Sequence, residues 1–510
     1  MAMMGTPLEM FRDLFSFTQP ASGRKTTATA KGMLESVANL PPLAAAATLT
    51  TRAIPSIAQE ANLHLRFKFL ETAHQETERA LPALEDEVMQ AALPLPKSAA
   101  SAAIHADNLL KALATAFADI TRDIRQQHPD AGLNDLYHRC ILRAINLLAR
   151  RQLLAYRAYA TPSTGSWLML HQLYLMACDP SAKALNSETA PIEHEYLGAL
   201  LFAYMEPGKQ PRLDLGNIYQ CTHQLAAYAS VGEILAGTQS KTIESSFFVR
   251  PSEGSPGHPM TRLPAGTHLS DGLIIDCSQV LAALDRNLIR QAGKPIQPDL
   301  IASPSLLQNM RVVIAGKSAR RFSRTKFRPR ADLIGGLGSV INFVNGNACS
   351  RRSIDGIGRH EGRGFVTSEW SLVDEGPDGF RIRFIKGEKS QVGVGDLVAL
   401  QPRESSKIHI CLVRRIVSAA TRLELGLQLL SPQVSVVDVM AGRNASTRGI
   451  FLHSLPAYGK FSGLILPPGK MTSGQRITFS TLGRTLHRQI GKCIEANEGL
   501  EFVALDPLPD

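Results

Sequence analysis

Paired cysteines, long apolar runs and complete catalytic motifs are all missing from this chain of 510 residues. The seven cysteines (Cys140, Cys178, Cys221, Cys277, Cys349, Cys411 and Cys493) stand singly, with no C-x-x-C pair. That dispersal argues for reduced thiols and against a disulfide framework, and no Cys/His cluster offers a zinc site. No stretch of about 18 apolar residues is present, so a membrane span is not expected. The N-terminal Met1 to Phe15 carries Glu9 and Asp13 and lacks the basic start and apolar run of a secretory signal. These absences make a cytoplasmic location the expectation.

Catalytic signatures fail one by one. Gly316-Lys317-Ser318 follows an apolar run, but the glycine that a phosphate loop needs five residues earlier is Arg311. Gly335, Gly336 and Gly338 do not complete a dinucleotide-binding G-x-G-x-x-G. No G-x-S-x-G elbow, paired-carboxylate signal or metal constellation is found. Glu193-His194-Glu195 lacks the second histidine of a zinc helix and reads as a helix start. Cys221 and His223 fall on different helix faces, and His171 beside an apolar stripe reads as a structural histidine. The chain is therefore expected not to be an enzyme and to need no cofactor or metal.

What is present divides the chain. Residues 1–55 open with the amphipathic Leu8 to Phe17 and become Ala/Thr/Ser-rich, which predicts a mobile N-terminal segment. Residues 56–239 carry helical periodicity, with Leu136, Cys140, Ala144 and Leu148 on one stripe and Arg139, Arg143, Arg150 and Arg151 largely off it. Trp167, Leu170 and Tyr174 form another stripe, and Leu197, Leu201 and Tyr204 a third. The pattern predicts an all-α domain of six or seven helices. Residues 240–309, rich in Ser, Pro and Gly, read as a connecting α/β segment with a strand at Gly272 to Cys277 and a helix from Ser278 to Gln291.

Beyond Met310 the pattern becomes β. Strands are predicted at Arg311 to Ile314, Gly364 to Val373, Gly379 to Phe384, Gly395 to Gln401, Ile408 to Val417 and Leu423 to Leu430. These make a small antiparallel barrel over residues 310–435. Five further strands, from Gly449 to Ala504, make a smaller β module over 436–510, read as a possible repeat of the first barrel without its basic cluster. The fold class expected is thus multidomain α and β, with an α-rich N-terminal half and a C-terminal antiparallel barrel followed by a second β module.

Charge concentrates in the first barrel. The net charge of the chain is +10, and residues 311–415 hold 20 Lys+Arg against 10 Asp+Glu, so that window alone carries the excess. Such a field steers anionic partners to one place. Within it runs Lys317-Ser-Ala-Arg-Arg-Phe-Ser-Arg-Thr-Lys-Phe-Arg-Pro-Arg330. Arg320 and Arg324 form an R-x-x-x-R pair, with Arg321 and Arg328 beside them. A guanidinium binds phosphate bidentately, stacks on flat rings and matches the O6/N7 edge of guanine. Further on, Asp374-Glu-Gly376-Pro-Asp-Gly379 sits between two strands, where a carboxylate can accept from guanine N–H groups and glycine permits a tight turn. Together they point to a phosphorylated guanine ligand. Nucleic acid is the alternative, although only Phe322, Phe327 and Phe343 are at hand for base stacking.

Arg320-x-x-x-Arg324 followed by Asp374-x-Gly376-x-x-Gly379 resembles the R-x-x-x-R and D/N-x-S-x-x-G signature of PilZ domains over residues 310–435. The resemblance implies a six-stranded barrel that binds cyclic di-GMP. Arg320 and Arg324 would clasp guanine and phosphate, Asp374 would take a guanine edge and Gly379 would shape the turn. The layout is similar to proteobacterial cyclic-di-GMP effectors of pili and surface attachment, which implies a protein partner for the α-rich half. The chain departs from the signature in having Gly376 where the family has serine. It also has a long separation, Leu333 to Val366, that contains Arg351, Arg352, Arg359 and Arg363. A third reading is therefore a degenerate barrel serving as a ligand-free adaptor.

Overall fold

The computed structural model describes residues 23–127, 133–179, 189–232, 244–264, 266–292, 302–315, 329–346, 367–387, 392–405, 407–419, 422–441, 445–454 and 462–508. Helices α1 (Gly23–Val37), α2 (Pro42–Thr48) and α3 (Ile54–Ile57) come first, α2 and α3 joined by a π turn over Leu49–Ala53. The described part of the expected mobile tail is thus helical. Its small residues are what let it pack, because Ala30, Leu34, Val37, Ala45, Ala46, Leu49 and Ala53 are buried in the main core.

Then follow α4 (Leu63–Gln90), α5 (Lys97–Gln127), α6 (Asn134–Arg157), α7 (Thr164–Cys178), α8 (Ala190–Tyr204) and α9 (Leu215–Ala226). The Asn62 side chain caps α4 by accepting from Leu65 N–H at 3.1 Å. The predicted stripe of α6 is buried in full at Leu136, Cys140, Ala144 and Leu148. Its off-stripe arginines clamp neighbouring helices through bidentate pairs: Arg143 to Glu71 at 2.9 and 2.8 Å, Arg150 to Glu85 at 2.7 and 2.8 Å, and Arg151 to Asp107 at 2.6 and 3.0 Å. Apolar residues surround α8, which is buried from Tyr196 to Phe202 and so runs through the centre of the layer.

Strands β1 (Ser230–Gly232), β2 (Ser246–Val249), β3 (His258–Pro259) and β4 (Leu273–Asp276) form an antiparallel sheet of order β1-β4-β2-β3. Helices α10 (Ser278–Ala292) and α11 (Pro304–Ile314) follow. Phe247, Val249, Ile275, Val280, Leu307 and Met310 bury into the same core as the helices. The strand expected at Arg311 to Ile314 is instead the last turn of α11. Ser303 caps that helix, Pro304 starts it, and Leu307, Met310 and Ile314 bury at spacings of three and four, so helical periodicity overrides the β-branched run.

Two closed six-stranded barrels complete the molecule. The first contains β5 (Arg330–Gly335), β6 (Ser368–Gly376), β7 (Gly379–Gly387), β8 (Leu397–Pro402), β9 (His409–Ala419) and β10 (Arg422–Ser431). Helix α12 (Leu337–Gly346) lies between β5 and β6. The second contains β11 (Val434–Ala441), β12 (Ala445–Leu452), β13 (Gly463–Leu466), β14 (Arg476–Thr481), β15 (Arg484–Ala496) and β16 (Glu501–Pro507). Going round either barrel from its sixth strand, the chain order is sixth, third, second, first, fourth, fifth. The two barrels therefore share one topology, which bears out the reading of the C-terminal module as a repeat.

Both neighbours grip the first barrel. Leu93 and Tyr159 of the helical half enter its interior cluster, and Ser418 N–H donates to Tyr159 O at 2.8 Å. Tyr159 holds a left-handed backbone (φ 53°) as the residue that ends α6, where Tyr159 N–H donates to Tyr156 O and Ala160 N–H to Ala155 O, both at 2.8 Å. On the other side, Phe343 of α12 packs with Ile410 of the first barrel and Ile450, Ile465 and Phe502 of the second. A bidentate Arg414–Glu495 pair, at 2.7 and 2.5 Å, crosses the same junction.

Candidate ligand site on the first barrel

The β6–β7 hairpin carries the acidic-glycine motif. Gly376 and Gly379 are cross-strand partners, with Pro377 and Asp378 as the two turn residues. Gly379 has φ 146°, and a Cβ there would lie 1.9 Å from Leu427 O. Only glycine fits, because the turn is pressed against β10, where Leu429 N–H donates to Asp378 O at 2.8 Å. Gly376 is the other end of this two-residue turn.

Asp374 lies two residues before the turn, 8% exposed, beside Arg381 directly across the strand pair. Arg381 Nε is 2.8 Å from Asp374 Oδ2. A bulge between Leu372 and Asp374 puts an extra residue, Val373, into β6. Bulges of this kind re-aim the side chains that follow them.

Further along the same outer face two more carboxylates lie beneath exposed cations. Glu369 receives Arg330 at 2.6 Å, Arg403 at 3.0 Å and Lys386 at 3.7 Å. Glu424 receives Arg422 at 2.5 Å and Arg383 at 3.0 Å. Burial pushes both carboxyls upward, but the surrounding cations outweigh it and hold both below their usual range. The charge excess seen in the sequence is thus partly spent, in this face, on holding buried carboxylates ionised.

Of the residues expected at the site, the structure brings Asp374, Gly376 and Gly379 together on one hairpin. Arg320, Arg321, Arg324 and Arg328 lie outside the described residues, as do Arg351, Arg352, Arg359 and Arg363. The described chain resumes at Pro329, and β5 starts at Arg330, so the basic segment leads directly into the first barrel strand. The long separation between the motifs holds β5 and α12, whose Val340 and Phe343 are fully buried. Sequence reasoning missed Arg381, although its place as the third residue of a strand that alternates Phe380, Ile382 and Phe384 inward was a usable signal.

The residues weighed for catalysis have other roles. His171 is fully buried, its Nε2–H on Ser255 O at 2.8 Å and its Nδ1 2.9 Å from the Tyr196 hydroxyl. Burial pushes that imidazole down to about 4. Burial also pushes the Cys221 thiol up to about 12, while His223 lies 3.4 Å from Glu195. No group of three or more His, Cys, Asp or Glu among the described residues is placed to hold a metal, and none of their helices is long and apolar enough to cross a membrane.

No curated protein matches the chain. Among solved structures, the insecticidal delta-endotoxin Cry8Ea1 from Bacillus thuringiensis aligns at 10% identity over 95% of this chain and 72% of its own, with a TM-score of 0.15. The helical layer gives the informative match: residues 29–235 are similar to the family described as the cyclic-di-GMP receptor FimW, N-terminal domain.

Proposed function

We propose that the protein is a non-enzymatic receptor for cyclic di-GMP, acting in the cytoplasm, that couples the ligand to a protein partner of its helical half in motility or surface attachment. One conjunction carries the reading. A helical layer similar to the N-terminal domain of a cyclic-di-GMP receptor precedes a closed barrel whose Asp374 hairpin follows a basic segment. Arg320 and Arg324 clasp guanine and phosphate, with Arg321 and Arg328 adding charge, and Asp374 accepts from a guanine edge. Gly376 and Gly379 keep the turn tight beneath the ligand. Gly376 gives no hydroxyl, so the base is held by Asp374 and the arginines.

The first barrel touches the helical half through Tyr159, Leu93 and the β9 backbone, so a ligand bound on the barrel is felt at that contact. Calorimetric titration of the full chain with cyclic di-GMP tests the reading, with GTP and single-stranded DNA as controls. Arg320→Ala and Arg324→Ala are each expected to abolish binding. Unchanged affinity in both variants would remove the assignment, and a salt-steep preference for the DNA would favour a nucleic-acid interface instead.

A further inference from the structure

Four residues form a row on the outer face of the first barrel. Asp374 pairs with Arg381, Arg381 with Gly426, and Gly426 with Arg415. Their neighbours Leu372, Phe380, Ile382, Leu425, Leu427 and Ile416 all point into the barrel core, so the row faces outward. Neighbouring strands lie about 4.8 Å apart, which puts the Arg381 and Arg415 backbones about 10 Å from each other. Between them Gly426 has no side chain, and a Cβ there would come within 3.2 Å of the Arg415 Cβ. The result is a trough with a glycine floor and a guanidinium on each side.

Two features leave the cations of this trough able to take a ligand. Arg415 is exposed and has no ion pair among the described residues, unlike Arg330, Arg383, Arg403, Arg414 and Arg422 around it. Arg381 meets Asp374 at 2.8 Å, yet its buried Nε makes no hydrogen bond among the described residues, so charge holds this contact. A bulge lies at each end of the row, at Val373 in β6 and at Arg414 in β9, and each breaks strand alternation beside the row's terminal residue.

We propose that Arg381 and Arg415, astride Gly426, form the phosphate end of the ligand site whose base end is Asp374, and that they take a phosphodiester of a guanine nucleotide. This rests on the receptor reading above. A guanine edge donating to Asp374 replaces the off-line Arg381 contact with aligned hydrogen bonds. The freed fork of Arg381 then turns toward Gly426, where a phosphate can be shared with Arg415. Asp374 to Arg415 spans three strand spacings, about 14 Å, enough for a base and its phosphate side by side.

The test is calorimetry with cyclic di-GMP on the full chain and on Arg381→Gln, Arg415→Gln and Arg448→Gln, each with a thermal melt. Arg448 pairs with Asp438 on the second barrel and serves as the control. The expected result is a loss of about tenfold or more in each of the first two variants, none in the control, and partial recovery in Arg415→Lys. If Arg381→Gln fails to fold, Arg415→Gln carries the test, since it breaks no ion pair of the described structure. Wild-type binding with both variants within twofold of it, whether or not their melts shift, overturns the trough and leaves the receptor reading standing. No binding by the wild-type chain overturns both.

Discussion

The two barrels thread their six strands in the same order, yet they use their polar surface differently. On the first, buried Glu369, Glu424 and Asp374 sit beneath arginines from neighbouring strands. On the second, the Arg448–Asp438 pair is exposed at both ends, and Arg476 and Arg484 have no carboxylate partner among the described residues. Their turns differ in the same sense. The β6–β7 turn is jammed against β10, whereas the β14–β15 turn, Leu482-Gly483, stands in open solvent, with Leu482 82% exposed. One topology thus serves as a built polar surface in one copy and as a plain packing module in the other. The two barrels are also entered differently: the first through the Lys/Arg-rich stretch between Ile314 and Arg330, and the second directly from β10 through Pro432 and Gln433.

The largest effect that sharpens this contrast is expected at the turns. Gly379→Ala sets a Cβ 1.9 Å from Leu427 O and forces a backbone that L residues avoid. A loss of about 3 kcal/mol or more of unfolding free energy, read from the shift in urea midpoint, is expected. Gly483 also has positive φ, 74°, but meets nothing within 4 Å, so Gly483→Ala is expected to cost only about 1 kcal/mol. Equal costs at the two positions would mean that the first turn is not clamped.

A smaller difference is expected at the ion pairs. Glu424→Gln leaves Arg383 and Arg422 without their shared carboxylate and is expected to cost about 1–3 kcal/mol. Asp438→Asn, which removes the exposed partner of Arg448, is expected to leave the denaturation midpoint unchanged. A double-mutant cycle of Glu424 with Arg422 separates the pair from the rest of the network.

Much of this was legible in the sequence because period and burial agree there. The α6 stripe, the β4–α10 unit and ten of the twelve barrel strands follow from alternation or helical spacing. Where they disagreed the reading failed. Val312-Val313-Ile314 has β-branched composition but lies at the end of a capped helix, and the capping by Ser303 and Pro304 was the stronger signal. The Ala-rich stretch from Pro42 looked too poor in side-chain area to pack, yet small residues allow the close helix contact that buries Ala45 and Ala46. Arg330–Gly335 and Val434–Ala441, the first strand of each barrel, escaped although turn residues flank both, Pro329 and Gly336 the one and Pro432 and Gly442 the other. Of the proposed site, the hairpin that carries Asp374, Gly376 and Gly379 was readable as a turn between two strands. The Asp374–Arg381–Gly426–Arg415 row was not, because its members come from four strands and meet only once the barrel closes.

The smallest expected effect, and the one that distinguishes the barrels in pH, comes from their titrating groups. Glu369 and Glu424 of the first barrel are held below the ordinary carboxyl range. A depressed carboxyl contributes stability that is present above its unfolded value, near 4.3, and is lost as pH falls through its folded value. The second barrel has His453, whose imidazole burial pushes down, with Nε2 2.8 Å from Ser435 Oγ. The unfolded chain protonates a histidine near 6.5, so that contribution begins to disappear already below that pH. The first barrel has a histidine of the same kind, His409 of β9, which burial and the nearby Lys407 push down. On acidification from pH 7, hydrogen exchange is therefore expected to rise in both barrels once the pH falls below about 6.5, and only the first barrel, followed by the fluorescence of its buried Trp370, is expected to show a second loss in the carboxyl range. Trp167→Phe isolates that signal, since the chain has only two tryptophans. The same two-step loss in both barrels would show instead that the shared core of Phe343, Ile410, Ile450 and Phe502 makes them one cooperative unit.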